Sequence, residues 1–183
     1  MKIAISGSVS TGKTTLGKAL ADKLGVAFIE ENLETIFRVT QAEKNDPTKR
    51  AKLMMKCLER KRALELKEQS FVVDRCPVDI LNFWFAFNLH TKVDTQPIYE
   101  RCREDMALYD RVVLLPYGVL PIDRESADGG LVRSNNPWGQ LQGSALISGF
   151  AHHYLEPEKI IQIPKNIVEI GARLNFVGSA LEK

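Results

Sequence analysis

The sequence predicts an α/β fold in which a five-stranded parallel sheet is flanked by helices. Short apolar segments rich in valine and isoleucine alternate along the 183 residues with longer helical patterns, which is typical of a parallel sheet. A glycine-rich loop stands between the first apolar segment and the first helical pattern, a position at which such loops bind phosphate groups. The length, with 44% hydrophobic and 26% charged residues, predicts a single domain over residues 1–183.

Five apolar segments, bounded by turn-forming residues, predict the strands of this sheet. Gly25 precedes the second segment, and Pro116 and Pro164 end the fourth and fifth, because proline cannot donate to a strand ladder. In chain order, the predicted strands are Lys2–Ser6, Val26–Ile29, Phe71–Val73, Val112–Leu115 and Ile160–Ile163. Because the carboxyl ends of parallel strands meet at one edge of a sheet, we expect the functional groups to gather there.

The segments between the strands predict helices, and capping residues indicate where several of them begin. Asp46 before Pro47 forms an N-cap with proline in the first turn, and Pro77 and Pro97 open two further helices. The predicted helices are Thr15–Leu24, Leu33–Gln41, 47–69, 77–89, 97–109, Leu141–Tyr154 and Ile167–Leu181. The stretch from 117 to about 138 is polar and rich in glycine, proline and asparagine, so it predicts a lid.

The glycine-rich loop has the pattern G-x-x-x-x-G-K-[ST] of a phosphate-binding loop, here called the P-loop. It comprises Gly7, Ser8, Val9, Ser10, Thr11, Gly12, Lys13 and Thr14, with Thr15 next in the helix. Backbone N–H groups and the helix dipole create an anion site in this setting. Lys13 can reach the β- and γ-phosphates, and the Thr14 hydroxyl can hold Mg²⁺. The loop therefore predicts ATP and Mg²⁺ as cofactors.

Two polar residues follow the third predicted strand, at the edge where the P-loop lies. Asp74 can order the Mg²⁺ shell or take a proton from an acceptor hydroxyl, and Arg75 can grip a phosphate with two N–H groups. The alternative is that Asp74 caps the following helix. We predict Asp74 as a metal and catalytic residue, because a carboxylate is needed at that place.

An acidic pair ends the second predicted strand. Glu30 or Glu31 can orient or deprotonate an acceptor hydroxyl, and we prefer Glu31 as the catalytic residue. The alternative is a solvated pair that opens the next helix, where the helix dipole favours acids. Which of Glu30, Glu31 and Asp74 is the general base stays open.

The lid carries two arginines that can meet the transferred phosphate. Phosphoryl transfer needs cations near the developing charge and exclusion of water, and Arg124 and Arg133 can supply both functions when a lid closes. We therefore predict both as nucleotide-binding residues and Arg133 also as catalytic. The alternative is that they only hold the lid through Asp123 or Asp128.

The helix after Pro77 carries a cluster of aromatic residues, namely Phe83, Trp84, Phe85 and Phe87. Most of them fit core packing, but one ring can stack on a base-like acceptor, with Asp79 and Asn82 supplying polar contacts. The preceding long helix is rich in lysine and arginine. Such a run is usually a solvated face, and it can also follow a nucleic-acid backbone.

Composition excludes several other classes of protein. The formal charge of +2 does not by itself indicate a nucleic-acid binder. Three cysteines with no paired spacing indicate a reducing cytoplasm and neither a disulfide scaffold nor a zinc site. The apolar runs are too short to cross a membrane, and the first strand starts at the N-terminus, so we expect no signal peptide and no membrane partner.

The P-loop, Asp74-Arg75 and the lid sequence from Asp128 to Arg133 resemble the P-loop kinases of the nucleoside and nucleotide kinase class. The AAA-type kinase-like group is the most similar in pattern. It contains the ribosylnicotinamide kinase domain of the bacterial NAD regulator, and phage kinases for hydroxymethyluracil in DNA look similar. The resemblance implies that Asp74 acts at the metal or acceptor hydroxyl, Arg75 at phosphate and Arg133 from the lid. The lid here is longer than the group's compact Asp-Gly-x-Arg. The fourth predicted strand is followed by Pro116 and not by an acidic residue. A motor ATPase would need a separate acid at that place, so the pattern argues against this class.

Together these patterns predict a kinase that transfers the γ-phosphoryl group of ATP to a hydroxyl of a nucleoside- or nucleotide-type acceptor. One alternative places the acceptor hydroxyl on a modified base in phage DNA, such as hydroxymethyluracil. The other is a regulatory protein whose nucleotide hydrolysis switches a partner. We expect a monomer or homodimer.

Overall fold

A computed structural model describes residues 1–30, 46–121 and 136–182 and confirms the five-stranded parallel sheet. The strands are β1 (Lys2–Ser6), β2 (Ala27–Ile29), β3 (Phe71–Asp74), β4 (Arg111–Leu114) and β5 (Ile160–Gln162). Their order is β2-β3-β1-β4-β5, and every neighbouring pair is parallel. Ile5 of β1 is in register with Asp74, and Ser6 with Leu114. The P-loop therefore leaves β1 between the ends of β3 and β4.

Helices cover both faces of this sheet in the described part of the chain. They are α1 (Lys13–Leu24), α2 (Pro47–Glu65), α3 (Pro77–Ala86), α4 (Gln96–Met106), α5 (Pro137–Tyr154) and α6 (Ile170–Leu181), with short 3₁₀ turns at Leu89–Thr91 and Pro157–Lys159. Helices α1 and α6 bury Leu16 and Val177 against one face, and α5 buries Ile147 against the other. Helices α2 and α4 pack around α3 in a third apolar cluster.

Local chemistry explains where the helices beside the site begin. The Asp46 side chain accepts hydrogen bonds from the N–H groups of Thr48 and Lys49, both at 3.0 Å, as the predicted N-cap requires. Helix α1 starts directly from the P-loop and ends at Gly25, whose φ of 64° is the left-handed conformation that glycine adopts at little cost.

Several predicted boundaries were wrong by a few residues. Helix α2 ends at Glu65 and not near residue 69, because Lys67 and Glu68 bond back to the carbonyls of Leu64 and Glu65 in tight turns. Helix α5 begins at Pro137, so Pro137 and Trp138 belong to a helix and not to the lid. The Asn136 side chain caps it through the N–H of Trp138 at 3.0 Å.

Helices α3, α4 and α6 are also shorter than predicted. Asn88 takes a left-handed φ of 53° after α3, which ends that helix at Ala86. Helix α6 begins at Ile170, after a connection that follows β5. The predicted helix at 33–41 and most of the predicted lid lie outside the described residues. No helix in the described ranges is long and apolar enough to span a bilayer.

Candidate active site

Two glycines allow the P-loop backbone to turn where its neighbours leave no space. Gly7 has a φ of 154°, and a Cβ atom there would lie 3.1 Å from the Leu115 Cβ and from the Thr11 hydroxyl. Gly12 has a φ of 87°, and a Cβ atom there would lie 3.2 Å from Nη1 of Arg173. Any larger residue would strain the loop at both places. Steric crowding therefore explains why the two fixed glycine positions of the motif are occupied by glycine in this chain.

The loop folds around the carbonyl of Ser8. The ammonium of Lys13 donates to the Ser8 carbonyl at 2.6 Å, and the Thr11 hydroxyl donates to the same oxygen at 3.0 Å. The Gly12 carbonyl then accepts the first helical bond of α1 from the N–H of Leu16. Lys13 is thus held over the loop, close to the end of the helix dipole where anions bind.

Asp74 meets the P-loop through Thr14. The Thr14 hydroxyl donates a short hydrogen bond to Oδ2 of Asp74, at the end of β3. The other oxygen, Oδ1, is buried and has no hydrogen-bond partner among the described residues. A buried acceptor without a partner is costly, and a ligand or metal at this point would satisfy it.

The donor set at this point fits Mg²⁺. A hydroxyl and a carboxylate are hard oxygen ligands, and Mg²⁺ is usually bound by one or two protein ligands together with substrate phosphates and water. Across the described ranges, His, Cys, Asp and Glu form no group of three that would make an all-protein cage. Thr14 and Asp74 have the donor atoms that such a site needs, and their predicted function as metal ligands stays a prediction.

The alternative function of Asp74, as the cap of α3, is not what the structure shows. The N-cap of α3 is Cys76, whose N–H donates to Oδ2 of Asp79 at 2.9 Å. The fully buried Asp79 also accepts from the hydroxyl of Ser6 at 2.6 Å. The oxygens of Asp79, a predicted acceptor contact, are used inside the protein, where they join β1 to α3.

Arg75 stands at the same edge in a strained backbone conformation. Its φ of 72° is unusual for a residue other than glycine. Its N–H bonds to the carbonyl of Ile5 at 2.8 Å, which fixes the turn after β3. The guanidinium lies 3.4 Å from Asp79 and 5.7 Å from the centre of the Phe83 ring. Arg75 is therefore held beside Asp74 with part of its surface open.

The aromatic residues in α3 and directly after it differ in burial. Trp84 is buried and donates to the Thr95 hydroxyl at 3.2 Å, as expected for core packing. Phe83 and Phe87 stack at 6.4 Å and are only half-buried. Arg50 covers the Phe87 ring at 4.1 Å, as Arg75 covers Phe83. Each ring of this half-buried pair thus has a guanidinium group over it.

Asn82 also reaches the P-loop side of α3. A Cβ atom on Gly143 of α5 would lie 3.4 Å from the Asn82 amide oxygen and 3.6 Å from the Ser8 Cβ. The close approach of α5 at Gly143 thus places Asn82 near the loop.

Cys76, the N-cap of α3, is fully buried. Burial, and then the charge of Asp79, raise the pKa of its thiol well above its ordinary value. A neutral buried thiol is not a nucleophile.

Of the acidic pair predicted at the end of the second strand, the structure describes Glu30. Glu30 forms a surface ion pair with Lys18 at 3.2 Å, with more than half of each side chain exposed. It makes no described contact with the P-loop. Glu31, Arg124 and Arg133 lie outside the described residues, so their predicted functions stay predictions.

Two residues at the P-loop were missed by sequence reasoning. Gln140 of α5 donates to the Val9 carbonyl at 2.8 Å, and Arg173 of α6 donates to the Thr11 carbonyl at 2.8 Å. The sequence did contain a signal for them, because each is a long polar residue in a helix whose other residues are mainly apolar or small. Such a residue, when buried, needs a partner.

A cavity of about 350 Å³ lies beside the first residue of the P-loop, at the ends of β4 and β5. Gly7, Tyr117, Ser144 and Lys165 are among its lining residues. The Lys165 ammonium lies 4.0 Å from the centre of the Tyr117 ring, a cation–π contact at the rim.

A family model described as "AAA domain" matches residues 2–132, which include the P-loop, Asp74 and Arg75. The chain belongs to this AAA domain family. No curated protein matches it by sequence.

Solved structures share the fold of this AAA domain chain at low sequence identity. Deoxyadenosine kinase from M. mycoides, with the products dCMP and dCDP, is 18% identical with a TM-score of 0.66, and the match covers 100% of this chain and 99% of that chain. The NadR protein in complex with NAD and AMP-PNP is 13% identical with a TM-score of 0.66, over 100% of this chain and 49% of that chain. Shikimate kinase from Acinetobacter baumannii is 15% identical with a TM-score of 0.58, and the match covers 99% of this chain and 90% of that chain. The α/β fold predicted from the P-loop is therefore the fold found in kinases.

Proposed function

We propose that this chain is an ATP- and Mg²⁺-dependent kinase that transfers the γ-phosphoryl group to a hydroxyl of a nucleoside- or nucleotide-type acceptor. The observation that carries the proposal is the position of Asp74. Its carboxylate bonds to the P-loop through Thr14, while its second oxygen is buried with no partner in the described chain. A P-loop with an adjacent strand-end carboxylate, next to Arg75, fits phosphoryl transfer.

The donor half of the site is the P-loop. Its backbone N–H groups and the N-terminus of α1 would bind the triphosphate, and the Lys13 ammonium would neutralise charge on the β- and γ-phosphates. A bound Mg²⁺ would supply positive charge against the negative charge that develops during transfer. Thr14 and Asp74 are the residues that would hold it.

The acceptor half lies on the side of α3. The acceptor oxygen would attack the γ-phosphorus, and the bond to the β–γ bridging oxygen would break, releasing ADP. Asp74 Oδ1 or Glu31 would receive the hydroxyl proton. Arg75 would contact a phosphate group, and the half-buried Phe83 with Asn82 would orient a base. Arg124 and Arg133 would close over the transferred group.

The fold comparisons support a nucleoside-type acceptor. The similar structures contain deoxynucleotides in deoxyadenosine kinase, and NAD with AMP-PNP in NadR. The three cysteines are free thiols in the structure, which supports a reducing cytoplasm.

We propose that the protein is a monomer or homodimer, and light scattering of the purified protein would measure its oligomeric state.

A second candidate acceptor is a hydroxymethylated base in DNA, such as hydroxymethyluracil. Helix α2 carries four exposed cations along one face, at Lys49, Lys52, Lys56 and Arg60. Spacings of three or four residues keep them on the same side of a helix, over about 16 Å of its length. A row of this kind can neutralise several phosphates of a nucleic-acid backbone.

One experiment distinguishes these functions: γ-labelled ATP offered with free nucleosides, nucleotides or hydroxymethylated DNA. Label on a small acceptor supports the first proposal, and label on DNA with a steep salt dependence supports the second. Hydrolysis that no acceptor stimulates would indicate a regulatory NTPase and overturn both.

A lysine pair on the same helix provides the control for that experiment. Lys13→Ala should lower transfer by at least about 100-fold, because the transition-state charge loses its cation. Lys18→Ala removes an exposed lysine paired with Glu30 and should leave transfer unchanged. Near-normal turnover by the Lys13 variant would contradict the assignment of the site.

A further inference from the structure

Two buried side chains hold P-loop carbonyls from opposite faces of the sheet. Gln140 of α5 donates from Nε2 to the Val9 carbonyl, and Arg173 of α6 donates from Nη1 to the Thr11 carbonyl, both at 2.8 Å. Gln140 is 3% exposed and Arg173 is 2% exposed. A buried donor with a single fixed acceptor holds that acceptor in place.

The two bonds determine where the next backbone N–H groups point. In a trans peptide, the C=O and the following N–H point in opposite directions. The Val9 carbonyl faces α5, so the N–H of Ser10 points away from α5. The Thr11 carbonyl faces α6, so the N–H of Gly12 points away from α6. Both N–H groups therefore point away from the helices that hold the preceding carbonyls, and we infer that they are available to an anion in the loop.

The backbone beside the held carbonyls is strained at one residue, Ser10. Ser10 has a φ of 55° and Gly12 a φ of 87°, so left-handed residues follow both of the held peptide groups. Backbone N–H groups around such residues can form an anion-binding nest, and a non-glycine residue in this region is strained.

Arg173 adds charge as well as position. Its Nε donates to the Ile167 carbonyl at 3.0 Å, which connects the P-loop to the segment before α6. Its Nη2 is buried and has no hydrogen-bond partner among the described residues, and no carboxylate there forms an ion pair with it. Burial lowers the pKa of the guanidinium, which stays charged at neutral pH. A phosphate in the loop would supply the missing opposite charge.

We propose that Gln140 and Arg173 are positioning residues that pre-organise the P-loop amides for the polyphosphate of the donor. This inference rests on the proposed function only in taking the P-loop as the donor site. It assigns no contact with the acceptor to either residue. Pre-organised donors bind an anion without paying for reorganisation at the moment of binding.

Inorganic tripolyphosphate is the probe for the test, because it needs the loop and neither a base nor an acceptor. We expect Gln140→Met and Arg173→Met each to weaken its binding about 10-fold in calorimetry, the loss typical of one buried hydrogen bond. The KM for ATP should rise in proportion while the KM for the acceptor stays constant. Arg173→Lys keeps the charge, so its affinity for tripolyphosphate should lie between those of the wild type and Arg173→Met.

Matched controls separate positioning from general stability. Gln142→Met changes an exposed glutamine two residues from Gln140, and Arg62→Met breaks an ion pair with Asp105 far from the loop. Both should keep tripolyphosphate affinity within about twofold of the wild type, even where the Tm falls. If Arg173→Met does not fold, Gln140→Met and Arg173→Lys still decide the result.

Two outcomes overturn the inference. One is unchanged tripolyphosphate affinity in folded Gln140 and Arg173 variants, and the other is a wild-type protein that does not bind tripolyphosphate. A wild type that binds tripolyphosphate but transfers phosphate to no acceptor would contradict the kinase proposal and leave this inference intact.

Discussion

The hydroxyl of Thr14, in the first turn of α1, donates to Oδ2 of Asp74 at the end of β3. This bond joins residues 60 positions apart and connects the P-loop to the neighbouring strand. It leaves Oδ1 of Asp74 buried without a described partner. Under the proposed function, the pair would hold Mg²⁺ at the edge of the sheet at which the acceptor would be deprotonated.

Replacing Asp74 tests this pair directly. Asp74→Asn keeps an oxygen for the Thr14 hydroxyl but removes the charge. We expect transfer to slow by about 100- to 1,000-fold, as for loss of one electrostatic stabiliser, and the Mg²⁺ concentration for half-maximal rate to rise. Transfer rates across a Mg²⁺ titration measure both. Asp110→Asn, at a surface carboxylate bonded to the N–H of Lys2, is the control and should keep the wild-type Mg²⁺ dependence. An unaltered Mg²⁺ profile in Asp74→Asn would exclude Asp74 from the metal site.

Arg75 allows function to be separated from stability. Arg75→Gly removes the guanidinium but relieves a left-handed φ of 72°, which costs a non-glycine residue about 1 kcal/mol. We therefore expect the free energy of unfolding to change by less than about 1 kcal/mol, because this relief offsets the lost contact with Asp79. Transfer should still fall by about 10-fold or more through weaker phosphate contacts. Urea unfolding and steady-state kinetics are the measurements. Wild-type kinetics in this variant would contradict the proposed phosphate contact.

The parts of the fold that follow from local sequence were predicted well. Hydrophobic strands, proline and glycine boundaries and the P-loop pattern are short-range signals, so the sheet and the place of Asp74 followed from them. The contacts of Gln140 and Arg173 with the P-loop span 131 and 162 residues. No local pattern contains them, because they depend on how α5 and α6 cross the sheet.

The lysines and arginines of α2 also show that burial set by distant packing cannot be predicted from a local pattern. Lysines and arginines in such a run usually face solvent, yet Lys61 is buried in an ion pair with Glu65 at 2.9 Å. Glu65 in turn accepts from the hydroxyl of Tyr109 at 2.6 Å. Charge alone did not distinguish Lys61 from its exposed neighbours, because its position on the buried side of α2 depends on the packing of α2 near the end of α4.

Two glycines in helices should respond to alanine in opposite directions. A Cβ atom on Gly17 of α1 would lie 2.6 Å from Cε2 of Phe28, whereas one on Gly149 of α5 meets nothing within 4 Å. Gly149→Ala should stabilise the protein by about 0.5–1 kcal/mol through helix propensity. Gly17→Ala should destabilise it by about 1–2 kcal/mol, because the clash outweighs the same gain. Urea denaturation gives both values. Equal stabilisation by the two variants would mean that Phe28 does not pack against α1.

Stability should also fall in alkaline solution because of buried thiols. Burial, and then a nearby aspartate, raise the pKa of Cys76 above its ordinary value of 9.0, and the pKa of Cys102 is raised for the same reasons. Above about pH 9 the unfolded chain loses these protons while the native protein keeps them. The unfolded state then binds fewer protons, so the free energy of unfolding decreases as pH rises, by about 1.4 kcal/mol per pH unit for each thiol.

The double variant Cys76→Ala, Cys102→Ala removes this contribution. Its free energy of unfolding, measured in urea from about pH 7 to about pH 10, should decline less steeply with pH than that of the wild type. At pH 7 the thiols are protonated in both states, so the difference there measures only the packing lost with the two sulfur atoms. Because the packing loss does not change with pH, the two stability curves should converge as the pH rises above about 9. Parallel curves over the whole range would show that the thiols ionise alike in the native and unfolded states.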